Sequence, residues 1–184
     1  MLVLEHLRSI ANPQRWTVRI FATDIDLQAL DFARAGRYPL HAASEIPAHL
    51  RDRYFVESQG FLEAVPLLRH LMVFVPHNLL NNPPFISMNL VACRNVMIFL
   101  RRETKRLLLA QLHRALVHPH GFLVLGNAEQ TGAQTQDMFA PVATGEGPGR
   151  GHVYRPVRIT PTDLQRPSTF QGWYALITIL EHGG

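Results

Sequence analysis

The sequence predicts an α/β fold with a mainly parallel sheet, and three observations carry that prediction. Short apolar runs recur as VRIFAT (18–23), LMVFV (71–75), LVA (90–92) and FLVL (122–125). Runs of that length bounded by turn residues fit strands buried on both faces, as in a parallel sheet. Segments with helical spacing lie between them. Finally, polar residues follow the carboxyl ends of the strands: Asp24, Asn78, and the cluster Cys93-Arg94-Asn95. Open α/β sheets bind ligands at that edge.

Taken in order, residues 2–11 read as a helix, with Leu2, Leu4, Leu7 and Ile10 near helical spacing and Asn12-Pro13 as its stop. No capping residue precedes it, which suggests an element that begins upstream. The first strand runs straight into Asp24-Ile25-Asp26. Asp26 precedes LQALDFARA and is the natural N-cap of a helix that ends at Gly36. Asp24, nearer the strand, is left for a ligand, since a carboxylate there can accept hydrogen bonds from ribose hydroxyls.

Residues 37–70 are less regular. A short helix is expected around PAHLRDRYF, a turn at Gly60, and an extended stretch or hairpin over 61–69. Arg53-Tyr54-Phe55 reads either as an interaction patch or, more commonly for such aromatics, as core. Pro76 stops the next strand because it has no N–H for a ladder. Asn78 carries a donor and an acceptor on a short side chain, suited to an adenine edge or to the backbone. Residues 81–84 are a loop.

The stretch 85–100, PFISMNLVACRNVMIF, is where apolar strand and polar cluster meet. The plain structural reading is that Arg94 caps a helix and Asn95 sits in a turn. The functional reading is a ligand wall. The clearest helix follows at 102–117, with Leu108, Leu109, Leu112 and Leu116 on one stripe. His118-Pro119-His120-Gly121 reads as its end, not as a metal site, because no cysteine or carboxylate stands nearby. The strand at 122–125 ends at Gly126-Asn127-Ala128-Glu129.

Composition shifts after 133. TGEGPGRG (144–151) has no strand-to-helix context and is no dinucleotide fingerprint. Residues 152–157 read as a last strand, at an edge because of Pro156. Residues 1–157 form the domain and 158–184 a tail or linker, polar at first and then strongly apolar over 173–180, a stretch able to dock on the body or to self-associate.

The totals bound the function. The 184 residues make one domain, or one domain plus a tail, and 47% hydrophobic residues can bury a core. Charged residues are 17%, low against an ordinary soluble domain, and suit buried strands. The net charge of +4 is dispersed over the chain, with no basic–aromatic motif that would point to nucleic acid. The one cysteine excludes an internal disulfide framework and fits a reducing compartment. No apolar run reaches the roughly 18 residues of a membrane span. Glu5, His6 and Arg8 come too early for a signal peptide. The cytoplasm is the expected location.

The combination FATDID, HNLL before Pro-Pro-Phe, CRNVMIF, a leucine-rich helix and GFLVLGNAE, in that order, closely resembles the CheR family of chemotaxis receptor methyltransferases. It looks most like the versions fused to methylesterase and sensor domains, and the resemblance covers about residues 3–156. It implies a Rossmann-like S-adenosylmethionine-dependent methyltransferase fold and methyl transfer to receptor glutamate side chains. Carried onto this chain, Asp24 would hold the cofactor ribose, Asn78 and Leu79 would border the adenine, and Cys93, Arg94 and Asn95 would line the pocket below the methyl group. The resemblance implies chemotaxis receptor cytoplasmic helices as partner. It points to no metal, nucleic acid or membrane insertion, and to no dedicated catalytic base.

The chain departs from that family in several places. A central strand, a glycine-rich loop and an acidic pair are expected before residue 1, together with a small helical domain. Phe99 stands where tyrosine is usual, and Asn89 where aspartate is common. The insert between Phe55 and Asn78 is shorter than in members that dock on a receptor tail peptide. The expected fold is therefore incomplete, lacking the first strand and Gly-rich loop, with two open ladder edges at its centre. Such a chain is expected to bind the cofactor weakly or not at all. The competing reading is a non-catalytic binding module of chemotaxis-type signalling. A nicotinamide enzyme should carry a glycine fingerprint, and none is present.

Overall fold

The computed structural model describes residues 1–9, 16–44, 46–132, 135–142, 152–157 and 174–181. Its frame is a seven-stranded mixed sheet. Helix α1 (Leu2–Ser9) opens the chain, and the Asn12-Pro13 stop lies outside the described residues. Strand β1 (Trp16–Asp24) starts earlier than its apolar run suggests. Helix α2 (Leu27–Ala35) follows the expected punctuation. The Asp26 carboxylate accepts from the N–H groups of Gln28 and Ala29, and Gly36 at φ 63° closes the helix with its N–H on the Ala33 carbonyl.

The irregular insert is a small second layer. Strands β2 (Arg37–Pro39), β3 (Phe55–Ser58) and β4 (Phe61–Ala64) make a three-stranded antiparallel sheet in the order β2-β4-β3. Gln59 (φ 49°) and Gly60 (φ 77°) form the tight turn of its hairpin, a left-handed pair that matches strand twist. Helix α3 (Ala48–Tyr54) brings in Tyr54, which is fully buried, so the core reading holds for that aromatic. Arg53 remains exposed and pairs with Glu5 of α1 at 2.7 Å. Residues 66–71 are helical (α4, Pro66–Leu71), where an extended stretch or hairpin was expected; Pro66 sits in the first turn, where its missing N–H does no harm.

Strand β5 (Met72–Pro76) pairs parallel with β1, Ile20 to Met72 through Asp24 to Pro76. Strand β6 (Leu90–Cys93) pairs parallel with β7 (Phe122–Leu125). Between them, α5 (Arg102–Ala115) lays Leu108, Leu109 and Leu112 against Val91, Leu123 and Leu125 in the main core. Each such side chain contributes about 1.5–3 kcal/mol on burial. The apolar run from Val96 is not another strand: Met97–Phe99 is a 3₁₀ turn.

Two placements correct the sequence-based expectation. Strand β9 (Val153–Pro156) is neither last nor at the edge, for it lies between β7 and β8 (Phe139–Pro141). Pro156 is tolerated because β9 meets β7 only at Val153 and Tyr154, leaving the proline paired on the β8 side alone. Strand β10 (Tyr174–Glu181), from the apolar end of the chain, enters the middle of the sheet. It runs antiparallel between β1 and β6, so the order is β5-β1-β10-β6-β7-β9-β8. The two ladder edges expected to stand open are thus both paired. The TGEGPGRG loop and residues 159–172 lie outside the described residues.

Candidate functional site

Strands β5, β1, β6 and β7 run the same way, and their carboxyl ends form one edge. That edge collects the polar residues singled out in the sequence. Asp24 ends β1 at 3% exposure. One carboxylate oxygen accepts from the Asp26 N–H at 2.8 Å, and the Asp24 carbonyl accepts from the His77 N–H at 2.9 Å. Asp24 thus ties together the ends of β1 and β5, while Asp26 caps the helix as its position predicts.

Beyond β5, Asn78 turns the chain. Its side-chain oxygen accepts from the N–H groups of Leu80 (3.0 Å) and Asn81 (3.2 Å), and its own N–H donates to Asn82 Oδ1 at 2.7 Å. The acceptor half of the amide therefore works on backbone, the second of the two uses its chemistry allows. Leu79 is buried. Nearby, Phe85 stacks between Phe21 (5.2 Å) and His77 (4.9 Å), with His77 Nε2 3.0 Å from the Pro83 carbonyl. The three rings are tilted to one another by 39° and 55°, and Phe21 and Phe85 pack against the main core.

Cys93, Arg94 and Asn95 stand at the end of β6. The Cys93 side chain is fully buried. Burial, with the Glu129 carboxylate second, pushes its thiol far above the ordinary range. It is an apolar wall element and not a nucleophile. Arg94 and Asn95 are exposed on the edge. Asn95 sits in the turn with φ 59°, a left-handed conformation that asparagine tolerates better than most residues. Arg94 is not the cap of the next helical turn.

That cap is Glu129, which lies more than 30 residues further along the chain. Its side chain, at 3% exposure, accepts four backbone hydrogen bonds. Oε1 takes the N–H groups of Val96 (2.7 Å) and Met97 (2.6 Å), and Oε2 those of Asn95 (2.8 Å) and Gly126 (2.9 Å). A buried carboxylate is sustained by such charge-assisted bonds. It staples the turn after β6 to the turn after β7. Gly126 is required there, since a Cβ would lie 2.7 Å from Glu129 Oε2 and 3.1 Å from Asn95 Oδ1. The only sequence signal was an acid three residues past a strand-ending glycine, a pattern shared with solvent-exposed turns.

The structure brings Asp24 next to the β5 end and its Asn78–Leu79 turn. The Cys93-Arg94-Asn95 turn lies across β10 from Asp24, in the row Thr23–Tyr174–Cys93. Two strand spacings separate the halves, about 10 Å. The edge thus carries a buried carboxylate at the end of β1, the Asn78 turn after β5, and an exposed guanidinium after β6. Of the His118/His120 pair after α5, His118 has its Nε2 2.9 Å from the His113 carbonyl, and His113, within the helix, has its own Nε2 2.6 Å from that of Val157. Among the described residues no helix is long and apolar enough to cross a membrane.

Comparison with known proteins identifies the family. The family described as CheR methyltransferase, SAM binding domain, matches residues 1–147. An uncharacterized 104.1 kDa protein of Rhodobacter capsulatus is 39% identical over 127 residues, 68% of this chain and 13% of that protein. Chemotaxis protein methyltransferase 2 of Pseudomonas aeruginosa is 37% identical over 118 residues, 61% of this chain and 42% of its own length. The chemotaxis protein methyltransferase of Escherichia coli is 31% identical over 123 residues, 64% of this chain and 42% of its own. The chain thus spans less than half the length of these three relatives.

Proposed function

We propose that this chain, which belongs to the CheR methyltransferase family, serves S-adenosylmethionine-dependent methylation of glutamate side chains on the cytoplasmic helices of chemotaxis receptors. The observation that carries the reading is the strand-end edge itself: buried Asp24 closes β1, and the Cys93-Arg94-Asn95 turn follows β6 along the same edge. Asp24 would hold the ribose hydroxyls, Leu79 and Asn78 would border the adenine, and Cys93, Arg94 and Asn95 would line the pocket under the sulfonium.

When bound, the cofactor supplies a methyl group that is already activated. The substrate carboxylate is ionised at neutral pH and needs no general base. The work of this chain is then to orient the two and to exclude water. Leu79 and Phe85 supply the water-excluding wall, and Glu129 keeps the Asn95 turn in one conformation. Phe99, 73% exposed, offers no hydroxyl at the rim.

In this reading the 184-residue chain by itself holds the cofactor weakly. The support is that the central seat of the sheet is taken by β10, whose amino end, Tyr174, arrives at the ligand edge. The same observation favours the alternative, a non-catalytic binding module in the same signalling context. Saturation-transfer NMR with S-adenosylmethionine tests the site. Signals on the ribose and adenine protons that fade in Asp24→Ala are expected, and their absence from the wild-type chain would sink the reading. Transfer of labelled methyl groups to receptor glutamates separates the enzyme from the binding module.

A further inference from the structure

The stretch from Arg94 to Arg106 carries five cations, Arg94, Arg101, Arg102, Lys105 and Arg106, against one acid, Glu103. Among the described residues none of the five is in an ion pair. Four of them crowd the start of α5, where Arg101 holds the N-cap position and makes no side-chain cap. The helix dipole disfavours positive charge there and favours carboxylates. The cluster therefore works against the helix that carries it, and ion pairing within the described residues does not offset that cost.

Beside the cations, the turn that precedes α5 shows two apolar side chains to solvent. Val96 and Met97 are buried and Leu100 packs on the main core, while Ile98 is 46% and Phe99 73% exposed. The turn is fixed from both sides. The Leu100 N–H donates to the Met97 carbonyl at 3.1 Å, and the Glu129 carboxylate holds the N–H groups of Val96 and Met97. An apolar pair held out on a fixed turn loses little further freedom when a partner arrives. Phenylalanine and arginine are also among the residue types enriched at protein interfaces.

We propose that Ile98, Phe99, Arg101 and Arg102 form a docking surface for an acidic amphipathic helix. Ile98 and Phe99 meet its apolar stripe, and the two arginines, backed by Lys105 and Arg106, meet its carboxylates. Two apolar side chains fit the i, i+3, i+4 anchors of a helix; a lipid surface asks for a broader apolar face. A nucleic acid would call for a basic–aromatic motif that the sequence lacks. The surface continues from the Cys93-Arg94-Asn95 turn, so a helix seated on it brings its carboxylates to the ligand edge. The choice of partner rests on the methyl-transfer reading above, to which it adds the residues that the substrate helix meets.

Fluorescence anisotropy on the full chain tests it with labelled synthetic helices that share one leucine stripe and carry a glutamate, glutamine or lysine polar face. The titration contains no cofactor, so its outcome is independent of the Asp24→Ala NMR result. The glutamate helix is expected to bind about tenfold or more tighter than the glutamine helix, to weaken with added salt, and the lysine helix not to bind. Arg101→Glu with Arg102→Glu should weaken binding about tenfold or more and yet raise the melting temperature, because carboxylates then stand at the start of α5. Phe99→Ser should weaken it about fivefold or more, and Arg114→Glu, at the far end of α5, should leave it unchanged. Equal binding of the glutamate and glutamine helices overturns the proposal, as does wild-type affinity in the double variant or in Phe99→Ser. So does absence of binding at about 1 mM glutamate helix, whether or not phosphatidylglycerol vesicles bind the chain instead.

Discussion

Thr23 of β1 stands directly opposite Tyr174 of β10. Through that pair the last described strand reaches the middle of the sheet, one residue from the buried carboxylate of Asp24. Leu176, two residues on, is in register with Phe21 on one side and Val91 on the other. Proline at 176 removes an N–H that has a ladder neighbour whichever way it points. Each backbone group orphaned in such a place costs about 1–3 kcal/mol. Leu176→Pro is expected to lower stability by roughly 2–4 kcal/mol in urea titration, and Leu176→Val to leave it nearly unchanged. Equal midpoints for all three chains would place β10 outside the sheet.

Glu129 is expected to be among the most sensitive surface-distant positions. Glu129→Ala leaves four backbone N–H groups without their acceptor and should remove about 4 kcal/mol or more. Glu129→Gln keeps one acceptor oxygen but turns an NH₂ group toward other donors, and should lose about half as much. Gly126→Ala forces its Cβ onto the Glu129 carboxylate and should fall in the overpacking range of about 1–3 kcal/mol. Amide exchange at Asn95, Val96 and Met97 reports whether the damage begins at the turn; protection equal to wild type would contradict the staple.

His113 gives the fold a pH dependence. Burial lowers its pKa against the opposing pull of the Val157 carbonyl, so the folded state disfavours the protonated ring. The unfolded chain takes up the proton first as pH falls through the ordinary value of about 6.5. Stability is therefore full above that pH and declines below it, toward the folded-state value. Melting temperatures of wild type should drop as pH falls below about 6.5, and His113→Gln should flatten that drop. A histidine NMR titration with an ordinary midpoint for His113 would be the contrary result.

The contact of α1 with α3 has the opposite titrating partner. Glu5 accepts from the Tyr54 hydroxyl at 2.6 Å and from Arg53 at 2.7 and 2.9 Å. The Tyr54 hydrogen bond, followed by that of Arg53, holds the Glu5 carboxyl below its usual range. Its contribution is present above the ordinary carboxylate pKa and is lost as pH falls through the lowered folded value. Glu5→Gln should release α1, seen as faster exchange in residues 2–9, and make that segment insensitive to acid. Because the pair is exposed, added salt should weaken it in wild type. Salt-independent protection of α1 would count against the ion pair.

Much of the frame was legible locally. The punctuation Asp26…Gly36 set helix α2, since a side-chain oxygen and a left-handed glycine satisfy its end groups without outside help. The leucine stripe set α5, and the four apolar runs set β1, β5, β6 and β7. The polar residues at their carboxyl ends did converge on one edge. Tyr54 was readable as core because a large aromatic next to a charged residue on a short helix has one inward face. Less was legible where distant partners decide. Arg94 looked like the cap of the following turn, but the cap is Glu129, more than 30 residues away in sequence. Pro156 looked like an edge signal, but partial pairing let it lie inside the sheet.

By itself, then, the sequence determined the element types, their order and the identity of the residues at the strand ends, because capping, periodicity and apolar run length act over a few neighbouring residues. Tertiary structure alone decided which strand takes the central seat and what holds the Asn95 turn. Both depend on unpaired backbone groups seeking partners far along the chain: the ladder edges of β1 and β6 are met by β10, and the four N–H groups around Asn95 and Gly126 by one buried carboxylate. A backbone hydrogen bond carries no side-chain signature, so nothing in the local pattern announces its partner.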